Sequence, residues 1–352
     1  MITPRRQPAE WTPHEAVWIG WPSAADLWED HLGPARTEVA AFIEAITFPG
    51  GAGGPRGERV ELLARGAEAL AAAETMRRRL PDPEVVRLHE APVGDIWLRD
   101  TGPIFALNEA GGLLACAFRF NGWGGKYELP EDDRIADIVA GLAGVRLRRF
   151  DEFVGEGGAL EVDGEGTIIT TRQCLLNPNR NPGLSEEDVE GVLKAAIGAE
   201  KIIWLDEGLY GDHTDGHVDN LARFVAPGKV VCMRPYGDDD PNREVLDAIR
   251  NRLARETDAS GRRLEVIEIP SPGLALMDGE PAPASHMNFF FANQSLVMPI
   301  YERLSGNSRP GEEALAILKS VIDRPHFAAI ESSHLLTGGG SFHCISQQQP
   351  AR

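Results

Sequence analysis

Short apolar runs broken by tight polar turns recur along this chain. TGPIFAL–NEAGG–LLACAF follows Asp100, GGALEV–DGEG–TIITT follows Glu156, NLARFV–APG–KVVCM follows Asp219, and MNFFFA–NQS–LVMPI follows His286. Each reads as a β-hairpin, two strand-length apolar runs joined by Gly, Asn, Asp or Pro. SFHCIS, around Cys344, starts a fifth strand pattern of the same kind. The five leading residues stand 56, 63, 67 and 58 positions apart. Between hairpins, apolar positions at helical spacing mark EEDVEGVLKAAI (186–197), NREVLDAIRNRLARE (242–256) and GEEALAILKSVI (311–322). The unit is a hairpin plus a helix, about sixty residues long and used about five times. Such units set around an axis bury a shared core and turn their leading residues to the centre. One repeat-built α/β domain over 1–352 is expected.

Three of the seven tryptophans fall in EWTPHEAVWIGWP (10–22), an extended apolar-rich stretch. It reads as a strand that pairs near the C-terminus and completes the last unit. Residues 24–46 read as helix, GGAGGPRGE (50–58) as a surface turn, ERVELLA as a strand and AEALAAAETMRRRL as a helix. PSPGLALMDGEPAP (270–283) is a long Pro/Gly loop placed to fold over a site.

Hydrophobic content of 42% and charged content of 25% suit a soluble globular enzyme. No apolar run reaches the eighteen or so residues a membrane helix needs, and MITPRRQPAEW lacks the apolar core of a secretory signal. The four cysteines form no CxxC pair. Cys116, Cys174 and Cys232 recur every 58 residues and read as repeat-equivalent core positions in a reduced, cytoplasmic protein. A formal charge of −19 argues against nucleic acid and suits a cationic substrate. Homo-oligomerisation is left open.

Candidate chemistry clusters where the leading residues fall. GDIWLRDTGPIF (94–105) brings Trp97, Arg99 and Asp100 to a glycine turn, and EGG sets Glu156 against two glycines. NGWGGKY (121–127) lacks phosphate-loop spacing and reads as a substrate-side or plain surface loop. GDHTDGHVDNLARF packs Asp212, His213, Asp215, His217 and Asp219 into eight residues. Strand alternation would put His217 and Asp219 on one face. A metal reading of this stretch, with His213 or His286 as further ligands, stays open beside the plain one of hydrogen-bonded residues at a strand end. In GGGSFHCISQQQP (338–350), Gly338 and Gly339 let backbone and substrate approach closely beside Cys344. A lone cysteine is ordinarily a small buried hydrophobe; the glycines set this one apart.

WLRDTGP (97–103), EGG (156–158), LLNPNRNP (175–182), DGHVDN (215–220), ASHMNFFFAN (284–293) and the tail together resemble the agmatine deiminase family. That family lies in the guanidine-modifying superfamily, and the resemblance covers nearly the whole chain. It implies a five-bladed pseudo-symmetric α/β-propeller, the pentein fold. It also implies hydrolysis of agmatine to N-carbamoylputrescine and ammonia in putrescine biosynthesis, without metal or cofactor. Carried over, Cys344 is the nucleophile and His217 the general acid/base. Asp100 and Asp219 grip the guanidinium, Glu156 orients His217 or the substrate, and Trp97, Gly338 and Gly339 line the substrate channel. Ser341, Gly94 and His286 depart from the family pattern, with Ser341 and His286 expected to touch the far end of the substrate. Free or peptidyl arginine remains an alternative substrate, and a hydrolase using a metal on His213, His217 and Asp219 a more distant one.

Overall fold

Every hairpin read from the sequence forms, and each gains a further strand that the sequence reading omitted. The computed structural model describes residues 5–48, 57–108 and 110–352; residues 50–56 of the turn expected at 50–58 lie outside them. The strands Ile104–Asn108 and Leu113–Arg119 pair antiparallel, and after the helix Ile135–Leu142 the strand Leu147–Val154 joins Leu113–Arg119 in parallel. The same order recurs three times. Glu161–Val162 and Thr167–Thr171 precede the helix Glu186–Ile197 and the strand Lys201–Leu205. Ala222–Ala226 and Lys229–Arg234 precede Arg243–Leu253 and Glu265–Pro270. Phe290–Phe291 and Ser295–Ile300 precede Arg309–Val321 and His326–Glu331. The repeat is therefore hairpin, helix, parallel strand, and it gives a mixed α/β fold.

A fifth sheet joins the two ends of the sequence. His14–Gly20 pairs antiparallel with Ser346–Pro350, as expected, and in parallel with Val60–Ala64, which pairs with Val86–Glu90. The region 24–46 is helical but broken: Ala25–Trp28, a 3-10 turn Glu29–His31, then Leu32–Ile46. Its long helix turns Val39, Phe42, Ile43 and Ile46 into the core, with Phe42 stacked on Phe342 at 5.0 Å. Trp18 and Trp21 are core residues. The 270–283 loop carries a small hairpin, Leu276–Met277 with Glu280–Pro281, and contributes nothing to the cavity described below. No helix among the described residues is long and apolar enough to cross a membrane.

The leading residues do not sit on strand ends. Asp100 lies in a single helical turn, Leu98–Thr101; Glu156 precedes the 3-10 turn Gly157–Ala159; His217 caps Val218–Asn220, which holds Asp219. His217 and Asp219 therefore do not alternate on a strand, and Cys344 lies in the turn 342–345 before its strand, not within it. A single turn of helix redirects side chains by about 100° per residue, which lets one short segment present two groups to one place.

Candidate active site

The turn bearing Cys344 is fastened from below and from the side. Phe342 anchors it in the core against Phe42, and Asn288, on the loop before the fourth hairpin, accepts from the backbone N–H of His343 (3.0 Å) and Cys344 (3.2 Å). Its amide also donates to the Cys344 Sγ at 3.1 Å. The His343 N–H also reaches the Asn288 carbonyl at 3.2 Å, so Asn288→Ala would orphan one buried donor, the Cys344 N–H, at a cost of about 1–3 kcal/mol; a urea midpoint lowered in step with that loss is expected, along with reduced turnover. Asn288 was missed in sequence because His286, two residues earlier, drew the assignment. His286 is instead buried against Tyr301, its Nδ1 on the Pro270 carbonyl, and burial lowers its pKa to about 4. Ser341 pairs with Ser332 at 2.6 Å. Neither lines the cavity, so neither touches the far end of a substrate there.

Around the thiol the acidic groups converge. Asp219 Oδ2 lies 3.5 Å from Cys344 Sγ, and Asp100 Oδ2 lies 3.9 Å from His217 Nδ1. Glu156 Oε2 faces His217 Nε2 at 4.0 Å, while its other oxygen is held by Arg180 Nε at 2.6 Å. Arg180, fully buried, also reaches Asp215 and the Thr214 carbonyl. Asp100 is fixed by the Gly158 N–H and the Trp123 indole, both at 2.9 Å. Gly158 is required here: a Cβ on it would stand 2.5 Å from His217 Nδ1, with Asp100 and Asp219 at 3.0 and 3.1 Å. The loop 121–127 thus lies at the cavity described below, with Trp123 in the left-handed region (φ 52°) to reach Asp100.

A cavity of about 180 Å³ opens onto this cluster, walled by Trp97, Asp100, Trp123, Gly338, Gly339 and Cys344, with Asp95, Tyr127 and His213 further out. His217, Glu156 and Asp219 lie fully buried outside this wall. Asp95 accepts from the indoles of Trp28 and Trp97, which sets both rings. A side chain at Gly338 would strike Trp97 and Trp28, and Gly339 takes φ 101°, so the glycines shape the cavity wall.

Charge is set by burial and by neighbours. Burial lifts Asp100 to about 6, with Asp219 and Glu156 adding to it against the pull of His217. Burial also pushes the Cys344 thiol far up, helped by Asp219 and Asp100. For His217 burial opposes the charge, yet Asp100, Cys174 and Glu156 outweigh it and hold the imidazole charged well above its ordinary range. Burial pushes Asp219 up, but the His343 hydrogen bond together with the charges of His343, His217 and Arg223 outweighs it and holds Asp219 below its usual range.

Behind Asp219 runs a network not anticipated from the sequence. His343 binds Asp219 through Nδ1 and Glu10 through Nε2, both at 2.8 Å. Carboxylates only accept when ionised, so the trio carries one proton beyond a neutral imidazole. Glu10 also meets Arg223 at 2.9 Å and Arg99 at 3.4 Å, and Arg223 meets Glu161 at 2.8 Å. His213, by contrast, stands exposed at the cavity rim on the Tyr127 hydroxyl. It does not join His217 and Asp219 in a ligand set, which removes the metal reading built on those three and on His286. Among the described residues the set within coordinating reach is Glu156, Cys174 and His217. Cys174 is therefore buried, as expected, but against the site rather than as plain core packing.

These features define a buried thiol set among carboxylates beside a charged imidazole. The chain belongs to the Porphyromonas-type peptidyl-arginine deiminase family, which it matches over residues 6–350. It is 39% identical to the agmatine deiminase of Stutzerimonas stutzeri, over 99% of this chain and 97% of that one. The structure of the Enterococcus faecalis agmatine deiminase superimposes with a TM-score of 0.89 at 31% identity, covering 99% of this chain and 96% of that one. The DDAH of Pseudomonas aeruginosa, at 13% identity and a TM-score of 0.52 over 96% and 99% of the two chains, shares the fold.

Proposed function

We propose that this protein is a cytoplasmic agmatine deiminase. It hydrolyses agmatine to N-carbamoylputrescine and ammonia on the way to putrescine, using side chains alone. Five of its sheets form the blades of a pseudo-symmetric propeller. The propeller reading rests on five sheets that each hold an antiparallel pair continued by a parallel strand, and whose leading segments, at Asp100, Glu156, Asp219, Asn288 and Cys344, meet at one site. The observation that carries the function is the Cys344 thiol 3.5 Å from Asp219, facing a cavity that Asp100 also walls.

A guanidinium is planar and permanently charged, and carboxylates take its N–H groups in pairs. Asp100 and Asp219 hold it so that its carbon faces Cys344. Its arriving charge offsets the carboxylates that keep the thiol protonated, and Asp219 Oδ2 receives the thiol proton. The thiolate then adds to the guanidinium carbon. Charged His217 gives its proton to a departing nitrogen, ammonia leaves, and an S-alkylthiouronium remains. Neutral His217 next takes a proton from water as the oxygen adds to the same carbon; the carbon–sulfur bond then breaks, the thiolate takes back the proton held by Asp219, and the urea forms as the added oxygen passes its remaining proton to ammonia, which leaves as ammonium. Glu156, held by Arg180, keeps His217 in place. Trp97 packs along the aliphatic chain.

Among the described residues the cavity wall carries no Lys or Arg side chain, so the α-carboxylate of free arginine would enter unpaired. Ammonia release measured side by side from agmatine, arginine and an arginyl peptide tests this. Agmatine is expected to lead in kcat/KM by about 100-fold or more, since leaving a charged group unpaired costs about 3 kcal/mol. Preference for arginine or the peptide would overturn the substrate while leaving the chemistry in place.

Because Asp100 must be ionised to receive the cation, kcat/KM should rise with pH through about 6. Trp123→Phe removes an indole donor that favours the ionised form, so the acidic limb of its pH profile should move upward. An unmoved limb would assign it to another group.

A further inference from the structure

Glu156, Cys174 and His217 offer an oxygen, a sulfur and a nitrogen that all lie within 4.8 Å of one another. All three side chains are buried. Glu156 Oε2 lacks a hydrogen-bond partner there, and the His217 ring meets the Cys174 thiol. Arg180 occupies only the other oxygen of Glu156, which leaves Oε2 free toward the imidazole at 4.0 Å. We infer that these three side chains form an inhibitory site for a thiophilic divalent cation of the Zn²⁺ type.

The donor set selects that class. A thiolate and an imidazole favour Zn²⁺ or Co²⁺, whereas Mg²⁺ and Ca²⁺ seek oxygen cages. Bonds of about 2.0–2.3 Å in tetrahedral array separate ligand atoms by roughly 3.3–3.7 Å, so small rotamer adjustments close the set. Binding displaces the protons of the imidazole and the thiol. The two charges of the ion then replace two protons, and the buried charge is unchanged, which avoids the penalty for burying net charge. Three protein ligands leave a fourth position for water. Inhibition follows from the proposed role of His217, whose ring nitrogen the ion would hold; the binding itself does not depend on that role.

The test separates the two thiols. In a Cys344→Ser protein, which lacks the competing thiol at 344, Co²⁺ titration should give one equivalent with a thiolate-to-cobalt absorption band. Adding Cys174→Ala should abolish the band, and Cys174→Ser, which retains side-chain volume, should do the same if the alanine variant folds poorly. In wild type, Zn²⁺ should suppress ammonia release reversibly to chelator, and Cys174→Ser should raise the half-inhibitory concentration at least about 30-fold, some 2 kcal/mol of lost ligation. A band that disappears in Cys344→Ser alone, or survives in the double variant, would overturn the inference, as would equal Zn²⁺ sensitivity in Cys174→Ser. If binding appears as expected while no guanidino compound is turned over, the metal site stands and the proposed function falls.

Discussion

Cys344→Ala is expected to remove ammonia release from agmatine by at least about 10⁴-fold, since among the described residues Cys344 carries the one thiol in the cavity wall. The thiol is small and its turn is fastened through the backbone by Asn288 and through Phe342, so the fold should be little affected. Two measurements together identify the nucleophile. The first is the rate itself, with the denaturant midpoint as a control. The second is mass spectrometry of wild type quenched during turnover, which should show a covalent adduct on the peptide carrying Cys344. An adduct elsewhere, or a variant that retains appreciable turnover, would reassign the chemistry. Because burial and the nearby carboxylates keep the free thiol protonated, thiolate absorbance should grow when a non-reacting guanidinium salt is added. No change on saturation would show that the thiolate forms by another route.

The second large effect concerns stability. Glu10→Ala would strip the common partner from Arg223, Arg99 and His343, all of them buried. It would also release the Phe291 N–H, which donates to Glu10 at 2.9 Å. Removing one member of a buried charge network costs about 3–5 kcal/mol because the remaining charges lose their compensation. A urea unfolding series should show that loss, with activity falling as well because His343 would no longer be held against Asp219. A stability change under about 1 kcal/mol would mean that water or Glu161 takes over the arginine.

The hairpins were legible because their signal is local: each turn of Gly, Asn, Asp or Pro lies between the strands it joins. The third strands were not. Leu147–Val154 has four intermediate and two exposed positions before its buried end, and its partner lies beyond a helix, so no turn marks the pairing. The site divides along similar lines. Cys344, His217, Asp100, Asp219 and Glu156 precede repeat units and sit in dense motifs, and the structure gathers them. Glu10 and His343 are 333 positions apart, and no pattern along the chain announces a contact of that kind. Cys174 kept the 58-residue rhythm of Cys116 and Cys232, which concealed that it lies in the short helix Arg172–Leu175 beside His217. His286 shows the opposite error, a titratable residue at a leading position that faces the core.

The pairing of Ser346–Pro350 with His14–Gly20 bears on how the protein is made. Synthesis runs from the N-terminus, and early segments begin to order first. The thiol and the strand that seats it are therefore translated after Asp100 and Asp219, the carboxylates that help hold it protonated. A nascent chain cannot carry an assembled nucleophile before its restraints exist, so the order of translation itself guards the most reactive atom of the molecule.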